Sequence, residues 1–269
     1  MLKLISIGDC VARGTYRLHS RFARVINYES GGRLLRIGAP EEGEGPLNAL
    51  FADFSPAQFA DTLTISSKDM TAAGASYPLE GAAVYSSKFA PGVSDSLLAV
   101  KAAPRCADAV SAQAGPESFA SFIATKRGGA QGEGLASEFS RAANGGLALL
   151  REGRCGEGAR RLASLGGANA DFLAGFLYGL GVLEKARGKN FNNIRQAIFA
   201  ACCGTDILSR APLECARDAR IPARLRGLFD AMSRGGTGAE KKVLEEIRAA
   251  GRADMAAGFI FALGSPYGK

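Results

Sequence analysis

Short β-prone runs alternate with glycine-containing loops over the first hundred residues, a pattern typical of a sheet of short strands. The runs Phe22–Tyr28 and Arg33–Ile37 flank the four-residue loop Glu29-Ser30-Gly31-Gly32, which predicts a β-hairpin. Other short β-prone or apolar runs are Met1–Cys10, Leu47–Phe51, Thr62–Ser66 and Ala82–Tyr85. Strands at this spacing predict a β-rich domain over residues 1–115, built as a small barrel or a sandwich.

From about Ser118 the apolar residues recur at helical spacing instead. Segments with this spacing are Leu135–Leu150, Ile194–Ala201, Leu225–Met232 and Val243–Ile247. The run Thr237-Gly238-Ala239-Glu240 fits a capping box at the start of the last of these helices, which Gly251 would end. We therefore predict a mainly helical domain over residues 116–269 and an α+β fold for the whole chain.

An internal repeat marks this helical half, at about residues 164–181 and 248–264. Ala170–Gly181 and Ala253–Gly264 are identical at seven of twelve positions without a gap. Each copy places an aspartate directly before an apolar run and carries two small residues four positions apart. Such a pair leaves a flat stripe on one helix face, against which another backbone packs closely. The repeat predicts two equivalent buried helices with two equivalent aspartates.

The repeated aspartates, Asp171 and Asp254, allow two interpretations. An aspartate at a helix start is commonly an N-cap, which stabilises the helix by about 0.5–2 kcal/mol. Before Asp171, however, Gly166 and Gly167 form part of a turn whose backbone N–H groups suit an anion. The Asp171 carboxylate itself suits the amide or ammonium hydrogens of a ligand. A cap and a binding site therefore stay open as alternatives for Asp171.

The charge and the apolar content of the chain indicate which classes of partner it can bind. The net charge is +7, from 33 basic and 26 acidic residues, and the chain has no tryptophan. The densest basic cluster places Arg217, Arg220 and Arg224 on one predicted helical face, more typical of a solvated or partner-facing surface than of a nucleic-acid site. No apolar run reaches the roughly 18 residues of a membrane span, and the N-terminal run is too short for a signal peptide. We expect a cytoplasmic protein that binds neither nucleic acid nor a membrane.

Cysteine and histidine spacing gives no sign of a metal or another cofactor. The six cysteines contain no CxxC pair, and His19 is the only histidine. Reduced and mostly buried thiols are the expectation for such a chain. No nucleophile–base arrangement is recognisable either, which argues against a stand-alone hydrolase.

Three motifs in order carry a family resemblance. They are Leu18–Asn27, then Ala39-Pro40 with Gly45-Pro46-Leu47-Asn48, and finally Ala170–Phe176. In this order they resemble the AllH-like family, over most of the chain from about residue 10. That family includes the third subunit of the oxamate carbamoyltransferase of anaerobic allantoin breakdown.

The resemblance implies a subunit that acts with an acyl-CoA-synthetase-like subunit and a second partner. The complex would move a carbamoyl group between an oxamate-type amide and phosphate, in purine nitrogen catabolism. A homo-oligomer is compatible with this arrangement. Asp171 and Asn169 would hold the amide or carbamoyl group of a small carboxylate ligand. The other assigned contacts are Gly166, Gly167, Asp254, His19 and Asn48, of which His19 and Asn48 fit structural hydrogen bonding equally well.

The chain departs from the family at one point. The family's usual run is Gly-Leu-Thr-Pro-Ser-Gly-Asp-Asp-Phe-Leu, where this chain has the segment from Ser164 to Leu173. Both hydroxyls and the first aspartate of the pair are absent, and Asp171 alone remains. Hydroxyls and paired carboxylates are groups that bind phosphate or transfer protons. The alternative function is therefore a non-catalytic scaffold or a small-molecule-binding protein.

Overall fold

The structure is a computed structural model that describes residues 2–112, 114–124, 138–165, 169–202 and 206–267, without the side chain of Thr237. Its strands are β1 Lys3–Gly8, β2 Gly14–Arg21, β3 Val25–Ser30, β4 Arg33–Gly38, β5 Asn48–Ala52, β6 Thr62–Ile65, β7 Asp69–Ala72, β8 Ala75–Pro78 and β9 Ala83–Tyr85. Its α-helices are α1 Val93–Ser111, α2 Glu138–Arg151, α3 Cys155–Ala163, α4 Asn169–Arg187, α5 Asn192–Cys202, α6 Ile207–Arg217, α7 Ala223–Arg234, α8 Thr237–Ala249 and α9 Ala253–Leu263. All these strands precede all these helices, which confirms the α+β class with a β-rich first half.

The strands form one sheet in the order β8-β7-β6-β2-β3-β4-β5-β1-β9. Neighbours are antiparallel except for two parallel pairs, β4 with β5 and β1 with β9. The predicted hairpin is confirmed as β3 and β4, where Ser30 is paired with Arg33. Its loop is only two residues long, because Gly31 and Gly32 take positive φ values of 54° and 77° and close the tight turn that such hairpins favour.

The sheet curls around a core of its own. Phe51 of β5 and Tyr77 of β8 lie far apart in the strand order, yet their ring centroids are 5.1 Å apart. Phe59 packs edge-on against Phe51 at 5.2 Å and joins the same cluster. Tyr16 and Tyr28 contribute further buried rings from β2 and β3. One continuous curled sheet therefore encloses the core, in the manner of a barrel wall rather than of two stacked sheets.

The described chain divides into two compact units. The β-rich unit comprises residues 1–89 with Arg220–Arg224, and the helical unit comprises residues 90–219 and 225–269. Helix α1 belongs to the helical unit although it lies before residue 116, so the division falls earlier than the predicted boundary at residue 115. The sequence pattern concealed α1 because Pro91 and Gly92 precede it and Pro104 lies inside it.

The segment Arg220–Arg224 belongs to the β-rich unit and enters a helix only at Ala223, where α7 begins. Arg220 forms an ion pair with Asp9 at 3.0 Å, and the backbone N–H of Ile221 donates to the carbonyl oxygen of Ser87 at 2.9 Å. Arg224 donates to the carbonyl oxygen of Glu41. The predicted helical face of Arg217, Arg220 and Arg224 is therefore wrong, since α6 ends at Arg217 and α7 begins only at Ala223.

Helices α4 and α9 carry the repeat and pack directly against each other. A Cβ atom on Gly175 would collide with the carbonyl oxygen of Met255, and one on Gly179 would collide with Ala262. Because these contacts advance along both helices in the same direction, the two helices run parallel. The predicted pair of buried, equivalent helices is confirmed, and its small residues set the close approach. None of the described helices is long and apolar enough to cross a membrane.

The start of α8 differs from the predicted capping box. Gly236 occupies the N-cap position and provides no side chain to cap the helix. The Glu240 carboxylate, which a capping box would direct to the N-cap backbone, instead accepts two hydrogen bonds from Arg105 of α1, at 2.8 and 2.5 Å. The tertiary ion pair has replaced the local bond that the sequence suggested.

Candidate functional site

The two repeated aspartates lie at the same end of the parallel helix pair. Asp171 is in the first turn of α4, and Asp254 is in the first turn of α9. Backbone N–H groups make this end of each helix electropositive, and a carboxylate there is stabilising. The N-cap position of α9 is Arg252, so Asp254 is not the cap of its helix. Both aspartates instead bond to groups on other elements.

Asp171 is held by Arg252. The Arg252 Nη1 donates to both carboxylate oxygens of Asp171, at 3.1 and 2.8 Å. The pair is partly accessible, with 30% of the Arg252 side chain and 19% of the Asp171 side chain exposed. Both hydrogen bonds come from one guanidinium nitrogen, and Nη2 and Nε of Arg252 make no bond within the described part of the chain. The pair therefore offers a carboxylate and guanidinium donors side by side.

Asp254 is half-buried and has different partners. Its Oδ1 accepts hydrogen bonds from the Ser118 hydroxyl at 2.7 Å and from the backbone N–H of Ala120 at 3.2 Å. Burial raises the pKa of Asp254 above the ordinary carboxyl value, and the nearby negative charge of Asp171 adds to the rise. The bonds from Ser118 and from two backbone N–H groups oppose that rise without cancelling it. The two aspartates thus interact electrostatically.

Asn169 connects two helices. Its side-chain nitrogen donates to the carbonyl oxygen of Ala163 at 2.8 Å, and only 7% of the residue is exposed. This bond ties the start of α4 to the end of α3 and thereby fixes the first turn that carries Asp171. Gly166 and Gly167, the predicted anion contacts, lie outside the described residues.

Arg252 is the residue that the sequence analysis missed. It occupies the repeat position equivalent to Asn169, directly before the second Ala-Asp pair. The matched stretch of the two copies begins one residue later, at Ala170 and Ala253, and position 252 differs between the copies. A basic residue two positions before a repeated aspartate was the signal that could have identified it.

His19 and Asn48 belong to the β-rich unit. The exposed His19 lies on β2 with its Nδ1 3.2 Å from the Ser20 hydroxyl. Asn48 begins β5, and its side-chain nitrogen donates to the carbonyl oxygen of Gly43 at 2.7 Å. A row of cross-strand neighbours connects the two positions: Ser20, Asn27, Arg36 and Asn48.

Asn27 is the buried member of this row. Its side-chain nitrogen donates to the Ser20 hydroxyl at 3.0 Å, whereas its buried Oδ1 has no partner among the described residues. The row is polar on a sheet whose other face is an apolar core. The hydrogen bonds link His19 to Asn27 through Ser20, whereas Asn48 is related to these residues by strand pairing alone.

Other reactive groups are few in the described part of the chain. Cys106, Cys155, Cys202 and Cys215 are buried, Cys10 is half-buried, and none of these five forms a disulfide. Among the described residues no group of three or more histidine, cysteine, aspartate or glutamate side chains is arranged to hold a metal ion. The chemistry that the helical unit offers is therefore hydrogen bonding and charge, centred on Asp171, Arg252 and Asp254.

Comparison of the chain with protein-family models, with curated proteins and with solved structures found no match in any of the three. The resemblance to the AllH-like family therefore stays a prediction.

Proposed function

We propose that this protein is a subunit of an oxamate carbamoyltransferase-like complex, in which it binds a small ligand that carries a carboxylate and an amide. The observation that supports this proposal is the Asp171–Arg252 pair, partly accessible at the joined starts of α4 and α9. Guanidinium donors recognise a carboxylate, and an aspartate accepts amide hydrogens. Oxamate combines these two groups in one small molecule.

In this proposal the remaining residues position the pair. Asn169 holds the first turn of α4 through its bond to Ala163. Asp254 is bound to Ser118 and to the backbone, so it shapes the negative field around Asp171 and does not contact the ligand. The described part of the helical unit supplies no activated nucleophile for carbamoyl transfer. The reaction would therefore take place only with the acyl-CoA-synthetase-like subunit and the second partner.

The test has two parts that use the same variants. Oxamate is titrated into the full chain by calorimetry, and Asp171→Asn and Arg252→Gln are each expected to weaken its binding about tenfold or more. The tagged protein is also purified from its native host, where an acyl-CoA-synthetase-like protein should accompany it in stoichiometric amount. Arg210→Gln is the matched control, because the Arg210–Glu214 pair on α6 is a surface pair with no assigned ligand role.

A scaffold without ligand or catalytic role is the second candidate. It is favoured by the fact that both aspartates already have protein partners. Under this alternative oxamate gives no binding heat, and Asp171→Asn leaves the turnover of a reconstituted complex unchanged while it lowers the stability of the chain. Those two results together would refute the proposed ligand site.

A further inference from the structure

A cavity of about 330 Å³ lies between α1 and α8 of the helical unit. Its apolar lining comes from Cys106, Ala109 and Val110 of α1, Leu244 of α8 and Ala253 at the start of α9. Three of these residues, Cys106, Val110 and Leu244, are almost completely buried, whereas Ala109 is exposed at the opening. The volume is at the lower end of the range of about 300–1,000 Å³ that small-molecule pockets show.

The rim of this cavity is charged and has an excess of basic groups. Arg105 donates to both oxygens of Glu240, and the Glu240 side chain is only 5% exposed, so this acid is neutralised inside the protein. The remaining rim charges are Lys241, Glu245 and Arg248. Lys241 and Arg248 lie seven residues apart, two turns along one face of α8, on either side of Leu244. Two exposed cations therefore flank the apolar lining, with one acid between them.

The lining presents apolar surface and no reactive group. Burial raises the pKa of the Cys106 thiol to about 12, and the neighbouring Glu240 carboxylate contributes to the rise. The thiol therefore stays protonated at neutral pH and behaves as a small apolar group. Such a cavity is suited to binding rather than to covalent chemistry.

From this arrangement we infer that the cavity between α1 and α8 binds an amphipathic anion, a hydrophobic carboxylate of medium chain length. The hydrocarbon chain would lie against Val110 and Leu244, where it loses contact with water. The carboxylate would lie at the opening, within reach of Lys241 or Arg248. A neutral molecule of the same length would bury its chain but gain nothing from these cations. This site is separate in chemistry from the Asp171–Arg252 pair and does not depend on its proposed ligand.

Decanoate is the probe for this inference, titrated by calorimetry into the full chain below the concentration at which decanoate associates with itself. We expect saturable binding at one site and weaker binding of decanol. Ala109→Phe places a ring in the opening and should abolish the binding. Lys241→Gln and Arg248→Gln should each weaken it about threefold, as expected for one partly screened charge.

Matched variants outside the cavity distinguish this site from general adsorption. Ala148→Phe makes the same change at an exposed position of α2, and Lys242→Gln removes the neighbouring charge of α8. Both should bind decanoate as the unaltered chain does, and circular dichroism of all variants checks the fold. The inference is overturned if decanoate does not saturate, if decanol binds equally well, or if correctly folded Ala109→Phe retains the affinity.

Discussion

Gly175 and Gly258 are packed in the same way, each against the helix that carries the other. A Cβ atom on Gly175 would lie 2.9 Å from the backbone nitrogen of Phe259, and one on Gly258 would lie 2.9 Å from that of Phe176. Each would also collide with a carbonyl oxygen, that of Met255 or that of Phe172. The sequence repeat is thus a repeat of contacts, and it relates α4 to α9 by approximate twofold symmetry.

Replacement of either glycine by alanine should force these helices apart. We expect Gly175→Ala and Gly258→Ala each to lower the free energy of unfolding by about 3 kcal/mol, since backbone atoms cannot yield as a side chain can. Urea unfolding measures the change. Gly181→Ala in the same helix is the control, because its nearest atom would be 3.6 Å away, at the end of the Arg195 side chain. It should be neutral or raise stability by up to about 1 kcal/mol. Equal losses at Gly181 and Gly175 would contradict the packing argument.

The sequence allowed this contact to be predicted because the information is local to two short segments. Two small residues four positions apart, present in both copies, predict that Gly175 and Gly258 lie where another helix packs closely. The partners of the aspartates could not be predicted in that way. Ser118 and Arg252 each lie more than 80 residues from the aspartate they bind. The position of Arg252 beside the second copy of the repeat marks it as a candidate, but it does not show that Arg252 binds the aspartate of the first copy.

Asp254 should make stability depend on pH in an unusual direction. Because its pKa is raised on folding, the folded chain binds more protons than the unfolded chain, and stability falls as the pH rises. The loss begins near the ordinary carboxyl pKa of 3.8 and continues up to the pKa of Asp254 in the folded chain. Asp254→Asn mimics the protonated acid and still accepts the bonds from Ser118 and Ala120. Unfolding free energies between pH 3 and pH 7 should therefore fall for the unaltered chain relative to this variant.

The opposite trend would be a rise with pH in the unfolding free energy of the unaltered chain relative to that of Asp254→Asn. It would show that hydrogen bonds outweigh burial in setting the pKa of this carboxyl. Asp254→Ala provides the second reference. It leaves the Ser118 hydroxyl and the Ala120 N–H without their acceptor, and it should lower the unfolding free energy by about 1–3 kcal/mol at any pH.

The Asp171–Arg252 pair should contribute modestly to stability. Both side chains are less than one-third exposed, so the pair is partly screened by water, and we expect a coupling energy of about 1 kcal/mol. A double-mutant cycle with Asp171→Asn and Arg252→Gln measures it by chemical unfolding. Arg252→Lys should keep part of this energy, because one nitrogen, Nη1, makes both bonds. A coupling energy of zero would mean that the two side chains do not stabilise each other, and it would weaken the assignment of the pair as a site.

The strands around Tyr28 and Leu35 could be predicted because β-prone runs and the paired glycines between them both mark the hairpin. The prediction for Arg220 was wrong, because helical spacing at three arginines suggested a helix across the segment that links α6 to α7. That segment contacts the β-rich unit through backbone groups, and backbone contacts leave no pattern of side chains to read. Arg220 is paired with an aspartate more than 200 residues earlier.

The attachment of this linking segment can be tested at Tyr85. The Tyr85 hydroxyl donates to the carbonyl oxygen of Ile221 at 2.8 Å in a buried position. Tyr85→Phe removes the donor and leaves that carbonyl without this bond, so we expect the unfolding free energy to fall by about 1–2 kcal/mol. Thermal or urea unfolding measures the loss. Tyr77→Phe is the control within the same unit, because the hydroxyl of Tyr77 makes no hydrogen bond to any of the described residues. Its removal should leave the free energy of unfolding unchanged. If Tyr85→Phe were as stable as Tyr77→Phe, the bond to Ile221 would contribute nothing to holding the segment in place, and the ion pair of Arg220 with Asp9 would be the contact to vary next.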